Sequence, residues 1–389
     1  MPGGPQLNQT ELKQWKLIAN FRTQLAALGA RYPQDPRWAE RHLQQLDYLC
    51  LFLMALVNPV CKTLRAISAA SALARMQAEV CGRAISLGSL SEAQHLVEPR
   101  LLAELIASLQ DQISGPLPQS PHQAWQQWWA RDSSIFQATS RMVWAQHGAG
   151  KAGQPNHAVR LHVSFHLWEE QPMQVAVTPG KVCERKVWRE QWQRGGMYVG
   201  DRYFGEDYQM FGRLAALDCR FVLRLRDEAV VQVLEEIPGR AAAAKTGLVS
   251  DQWVRLGSRS CYHTARLRLL TIRKASGVLM RLITNVPPEQ MSAPEVQTLY
   301  RRRWQIECFF RWLKCLLGCR HWLAESPRGV ATQLYLAVIA GLLLQGVLGR
   351  RPNQRLWERL QFYLMGWATQ DELMQAVHRA LEQARSKKS

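Results

Sequence analysis

Between Leu161 and Val177 the hydrophobic period of this chain is two. Leu161, Val163, Phe165 and Leu167 alternate with His162, Ser164, His166 and Trp168, and after the turn residues EEQP a second run passes through Met173, Val175 and Val177. Strand side chains alternate between faces while helical ones return every three to four positions, so this stretch predicts a β-hairpin. The ends of the chain read differently. From Leu12 to about Leu109 the apolar residues come in runs such as LCLFLMALV, without alternation and with breaks at Pro33, Pro36, Pro59 and Pro99, which predicts helices. A polar, Pro-rich connector, SGPLPQSPHQ, closes that region at Ser114 to Gln123, and from Ser292 onward the pattern is helical again.

Within the head, SLGSLSEAQ sets Ser89 three residues before Glu92, the spacing of a capping box that opens a helix. A helix, a Gly-containing turn and a second helix fit either a DNA-binding helix-turn-helix or two ordinary packed helices. In the middle region Gly195 and Gly196 precede a short strand, Met197 to Gly200, which delivers Asp201 at its end and leads into a helix carrying Tyr208, Phe211, Leu214 and Leu217. More strands follow in FVLRLR, VRLGS and the pair RLRLLTIR and VLMRLITNV, the last two joined by Ala275, Ser276 and Gly277.

The chain is basic, with 49 Lys and Arg against 31 Asp and Glu, a net charge of +18 and a pI near 9.9. That balance favours a polyanionic partner, nucleic acid or a membrane surface. The most apolar stretch, Leu334 to Leu348, is shorter than the roughly 20 residues needed to cross a bilayer, so a buried helix and no membrane partner are expected. No secretory signal is visible at the start, and 9 cysteines without a CxxC pair fit reduced thiols, so a cytoplasmic location is expected. Cys315, Cys319 and His321 lie close together but lack a fourth zinc ligand at suitable spacing.

The segment SAPEVQTLYRRRWQIECFFRWLKCLLG begins with Ser292 three before Glu295, carries Pro294 in its first turn and ends at Gly318, which predicts one long helix. At 100° per residue, Tyr300, Arg303, Glu307, Arg311 and Lys314 fall within an arc of about 80°. Leu299, Ile306, Phe310, Leu313 and Leu317 form an adjoining apolar stripe, with Phe309, Trp312 and Leu316 opposite. One carboxylate among cations on such a strip fits a structural ion pair, and equally a DNA strand passing a catalytic metal.

The spacing of Tyr300, Arg303, Glu307 and Lys314 resembles the Y-R-E-K signature of the DDE transposases of the insertion-sequence-four family, and the flanking text LYRRRWQIECFFRWLK resembles the signature block throughout. TNVPP, GDRYFG around Asp201 and SLGSLSEA in the head are similar too. The resemblance implies a mixed α/β (α+β) fold. Residues 1–123 are then a helical, DNA-binding N-terminal region, 124–217 the first part of a ribonuclease-H-like catalytic core and 218–290 a β-rich insertion. Residues 291–330 complete the core with the Glu307 helix, and 331–389 are a helical tail.

It further implies that Asp132, Asp201 and Glu307 are catalytic and hold two Mg²⁺ ions, with Mn²⁺ able to substitute, and that Tyr300, Arg303 and Lys314 contact DNA. Arg311 joins that strip by geometry. Hard cations take oxygen ligands, and in-line displacement at phosphorus needs charge stabilised on both the attacking and the leaving oxygen. Glu184, Glu206 and Asp207 are rivals for the acidic positions, and Trp253 is a candidate to stack on a base. The implied activity is binding of the terminal inverted repeats, strand cleavage and strand transfer by a homodimer on paired double-stranded DNA ends, in the bacterial nucleoid. The alternatives are an inactive, repurposed DNA-binding regulator and a structure-selective nuclease on the same fold.

Overall fold

The computed structural model describes residues 14–29, 34–113, 128–149, 155–189, 191–238, 247–258, 261–315, 321–348 and 351–386. The head is helical: α1 Gln14–Gly29, α2 Gln45–Val57, α3 Leu64–Ser71, α4 Ala74–Met76 continuing as a wider turn Gln77–Cys81, α5 Leu87–Ala93 and α6 Pro99–Ile113. The cap of α5, expected at Ser89, lies one turn earlier in the chain. Ser86, not Ser89, caps the helix, its hydroxyl accepting from the Ser89 backbone N–H at 3.1 Å, while Glu92 pairs with Arg41 at 2.9 Å. Ser86 has the extended backbone a cap requires, and Ser89 already lies inside the helix.

The middle of the chain builds one sheet from β1 Trp128–Gln137, β2 Gln146–Ala149, β3 Pro155–His166, β4 Gln171–Pro179, β5 Met197–Gly200, β6 Arg220–Leu225, β7 Val231–Glu236, β8 Leu248–Ser258, β9 Cys261–Arg273 and β10 Leu279–Thr284. The strand order is β2-β3-β1-β5-β6-β10-β9-β8-β7, with β4 on β3. Strands β4, β3 and β1 are antiparallel neighbours, whereas β1, β5 and β6 run parallel. This is a mixed α/β arrangement, as expected. Beyond β6, strands β10 to β7 continue the same sheet in antiparallel pairs, and β6, although within 218–290, belongs to the parallel centre. Gly277, at φ +81, makes the turn between β9 and β10.

The hairpin of β3 and β4 is present, but its turn is Leu167 to Glu170 and β4 already starts at Gln171. Nor is β3 half-exposed: His162 and Ser164 are as buried as Leu161 and Val163. Helices cover both faces. On one, Phe165 meets Phe309 at 5.6 Å between ring centroids; on the other, His162 meets Trp188 of α7, Glu184–Arg189, at 6.2 Å.

After α8, Tyr208–Ala216, and the strands, the expected single long helix is two: α9 Ala293–Arg302 and α10 Trp304–Cys315. At Arg303 the winding tightens, its N–H bonding the carbonyl of Tyr300, three residues back, at 3.1 Å. Ser292 caps α9 as expected, with its N–H donating to Glu295 at 2.6 Å. The tail comprises α11 Pro327–Leu348, α12 Gln354–Leu364 and α13 Gln370–Ser386. At 22 residues α11 is longer than its apolar run indicated, and its span Pro327–Gly346 is long and apolar enough to cross a membrane. It is 83% buried inside the protein instead, packed on α6 and α2 of the head and on β4. Cys319 lies outside the described residues, as does the side chain of Cys315, and among those described no cluster of metal-ligating side chains forms around His321.

Candidate active site

Parallel strands β1 and β5 pair through Trp128↔Met197, Trp129↔Tyr198 and Ala130↔Val199, and the pairing stops there. Carrying the register two residues further sets Asp132 beside Asp201, which follows β5 directly. Chain leaving β1 goes by way of β2 to β3 on one side, whereas β5 leads to β6 on the other, so the two aspartates stand where the sheet changes direction. Open α/β sheets bind ligands outside the carboxyl ends of strands at such a point.

Local packing fixes these positions. Arg131, beside Asp132, is buried on the opposite face among Trp188, Trp192 and Tyr198, its guanidinium 4.6, 4.2 and 4.5 Å from the three ring centroids, and it donates to the Gln191 carbonyl at 2.8 Å. Burial lowers its pKa to about 10, so it stays charged and ties β1 to α7 and β5. In GDRYFG the second glycine is required by contact: a Cβ on Gly205 would sit 2.2 Å from the Arg224 carbonyl oxygen of β6. The Asp201 carboxylate accepts from the Tyr203 N–H at 2.9 Å, holding the turn after β5.

Glu307 comes from α10, which packs against β1. Arg303 lies between it and the sheet, donating to Asp132 at 3.3 Å and to Glu307 one turn along, with its guanidinium 5.8 Å from the Tyr300 ring. The helix itself is seated on α11, where a Cβ on Gly341 would meet the Trp312 ring at 2.7 Å. Asp132, Asp201 and Glu307 are therefore brought to one end of the sheet. Tyr300 is buried beside them, and burial raises its hydroxyl pKa. Arg311 is exposed with its guanidinium 5.4 Å from the Trp304 ring, and Lys314 reaches over Phe136 at 5.1 Å.

Of the rivals, two have structural work. Asp207 caps α8, accepting from Met210 N–H at 3.1 Å, and Glu206 is ion-paired with Arg185 and Arg226. Glu184 differs. It heads α7, is only 7% exposed, and stands close enough to Asp132 and Asp201 to feel both charges. The sequence offers it only as one rival among three, although Glu184 is one helical turn before the buried Trp188 and so shares its inward face. Trp253 of β8 is half-buried under the Arg266 guanidinium at 4.4 Å.

The electrostatics are those of like charges held together. Desolvation first, then Asp201 and Glu307, push the Asp132 pKa up to about 6 against the pull of Arg303; desolvation, with Asp132 and Asp201, pushes Glu184 up to about 8. Among the described residues no three His, Cys, Asp or Glu side chains are gathered closely enough to hold one ion between them. The donors nonetheless fit a hard divalent cation by chemistry, being all carboxylate oxygens, with the negative charges of Asp201 and Glu307 acting on Asp132, beside a buried oxygen of Glu184 that finds no hydrogen-bond partner among the described residues.

A pH dependence follows. Both carboxyls bind protons more tightly folded than unfolded, so the folded chain holds more protons and stability falls as pH rises, between about 4 and 6 for Asp132 and from about 4.5 to 8 for Glu184. In protein treated with a chelator, Asp132→Asn should flatten the lower part of this decline and Glu184→Gln the upper part, read from denaturation midpoints across pH. A midpoint that instead rose through this window in both variants and in the wild type would contradict the assigned burial.

A family model described as transposase DDE domain matches residues 130–343. Among curated relatives, a Geobacillus stearothermophilus protein named probable transposase for insertion sequence element IS5377 is 26% identical over 222 residues, covering 57% of this chain and 56% of that protein. A Synechocystis protein, named as a candidate transposase for element IS4SA, is 23% identical over 291 residues, covering 72% of this chain and 78% of its own length. The chain thus spans little more than half of the first of these. A piggyBac transposase, solved in a synaptic complex with hairpin DNA, aligns over 92% of this chain and 80% of its own at 10% identity and a TM-score of 0.43. The matched stretch takes in Asp132, Asp201 and Glu307 and covers more than half of the sequence, and this chain belongs to the transposase DDE domain family.

Proposed function

We propose that the protein is a DNA transposase that binds the inverted repeats at the ends of its own element, cleaves the strands there and joins the freed 3′ ends to target DNA. One observation carries this reading: a carboxylate from β1, one from the end of β5 and one from α10 converge on a crevice flanked by the cations of α9 and α10. Asp132, Asp201 and Glu307 would hold two Mg²⁺ or Mn²⁺ ions, which when bound activate the attacking oxygen and stabilise the leaving one. Cleavage is then one in-line displacement, with water oxygen bonding phosphorus as the bond to the 3′ oxygen breaks. Strand transfer repeats it with the new 3′ hydroxyl as nucleophile and a target 3′ oxygen as leaving group.

In this reading the chain's own groups orient the backbone. Arg303 can fork onto a phosphate, Lys314 and Arg311 add point and planar charge along the same side, and Tyr300 braces Arg303. Two protomers act on paired ends. Incubating the protein with a labelled element end, a target plasmid and Mg²⁺ tests the proposal: joined product supports it, cut product alone indicates a nuclease, and binding without cutting indicates a regulator. End binding should weaken steeply with salt, and Lys314→Ala should reduce the log–log slope by roughly one counterion, about 0.9. An unchanged slope would remove Lys314 from the DNA path.

A further inference from the structure

We propose that Glu184 is a fourth carboxylate of this metal centre, reaching the crevice from the face of the sheet opposite Glu307. The inference rests on the proposed metal-dependent function. Three features of the fold carry it. β1 and β5 pair only as far as Ala130 and Val199, so at the level of Asp132 and Asp201 the two strands no longer bond one another. Glu307 approaches on the face where Phe165 packs on Phe309, while Glu184 is at the head of α7, the helix whose Trp188 packs on His162 of the other face. Finally, Glu184 is 93% buried by residue surface, the complement of its 7% exposure, and its Oε1 has no hydrogen-bond partner among the described residues.

A buried carboxylate oxygen without a donor is costly, and natural structures keep such groups where an ion or a ligand satisfies them. Local cations do not fill that role. Arg160 spends its guanidinium on the Ser133 hydroxyl at 3.1 Å and the Gly180 carbonyl at 3.3 Å, and Arg185 is turned to Tyr203 and Glu206. Glu184 shares a hydrogen bond with Ser133 and feels the Arg160 charge, but its Oε1 receives no donor among the described residues, and the other groups acting on it are the two aspartates. A hard divalent cation is the class of ligand that accepts a further carboxylate here, since Mg²⁺ and Mn²⁺ sites take oxygen donors from separate elements.

The test reads metal binding rather than turnover, on the full chain without DNA. Mn²⁺ affinity is measured by electron paramagnetic resonance for wild type, Glu184→Gln, Glu184→Asp and Asp132→Asn, with melting temperatures before and after Mn²⁺. Glu184→Gln should weaken Mn²⁺ binding about tenfold or more and shrink the metal-induced rise in melting temperature, while Glu184→Asp, which keeps the charge, should stay within a few-fold of wild type. If Glu184→Gln binds Mn²⁺ as wild type does while Asp132→Asn has lost it, Glu184 is no part of the centre. Wild-type affinity in Asp132→Asn as well would sink the metal-site reading itself. Should Glu184→Gln fail to fold, Glu184→Leu takes its place in the same comparison: a loss of Mn²⁺ affinity of about tenfold or more supports the ligand position, and unchanged binding overturns it.

Discussion

Glu307→Gln should cut DNA roughly a thousandfold more slowly than the wild type while still holding element ends. A charge that stabilises both oxygens of a phosphoryl transfer is worth several kcal/mol, and about 4 kcal/mol corresponds to that factor. The change keeps the size of the side chain and removes its charge. Arg303 then loses one of its two carboxylate partners but keeps Asp132 at 3.3 Å. The lost pair has side-chain exposures of 14% and 31%, so its contribution to stability, discounted for screening, is about 1 kcal/mol or less. With one negative charge fewer beside Arg303 and Arg311, end binding should hold or tighten. Cleavage, binding and melting temperature measured on one preparation decide the matter: a folded variant that binds and still cuts at the wild-type rate would refute the catalytic assignment.

Arg268→Leu should lose roughly 3–5 kcal/mol of stability, the usual cost of leaving one charge of a buried pair alone. Arg268 on β9 is 1% exposed and forks onto Asp251 of β8 at 2.9 and 2.6 Å, while its third donor reaches the Met291 carbonyl at 2.5 Å. That carbonyl immediately precedes Ser292, the cap of α9, so one guanidinium joins the β8–β9 pair to the start of the helices bearing Tyr300 and Glu307. Pairing the change with Asp251→Leu removes the stranded carboxylate and should recover much of the loss. Guanidinium chloride midpoints of the single and double variants test this, and a single-variant loss below about 1 kcal/mol would show that Asp251 finds another partner.

The parts of the fold legible in the sequence are those whose burial is decided locally. β5 and α8 follow from GGMYVG and from the spacing of Tyr208, Phe211 and Leu214, and the β9–β10 hairpin from two alternating runs around Gly277. β7 left no such trace, because an edge strand with Val233, Leu234, Glu235 and Glu236 all exposed has no buried face to mark it. β1 was hidden for the opposite reason. Its Arg131 is buried by rings at positions 188, 192 and 198, partners that no local pattern announces. In the candidate site, Glu307 and Arg303 were legible through their spacing. The break at Arg303 was not, since nothing in YRRRWQ disfavours a continuous helix. Glu184 looks like any acid in the first turn of a helix, and the groups it is buried beside, Ser133, Asp132 and Asp201, are some 17 to 52 positions away along the chain.

The seat of α11 has a kinetic side. This helix fills the trough between α2 and α6, and the Gln94 carboxamide oxygen, just after α5, accepts from the N–H groups of Glu325 and Ser326 at 3.0 Å each. The head therefore cannot cover its apolar face with its native partner until the whole sheet and α9 and α10 have left the ribosome. At usual synthesis rates that interval is on the order of tens of seconds. Throughout it the nascent chain carries LCLFLMALV with its proper cover still unmade, which makes the last third of translation, rather than the first, the step that commits the protein to its native core.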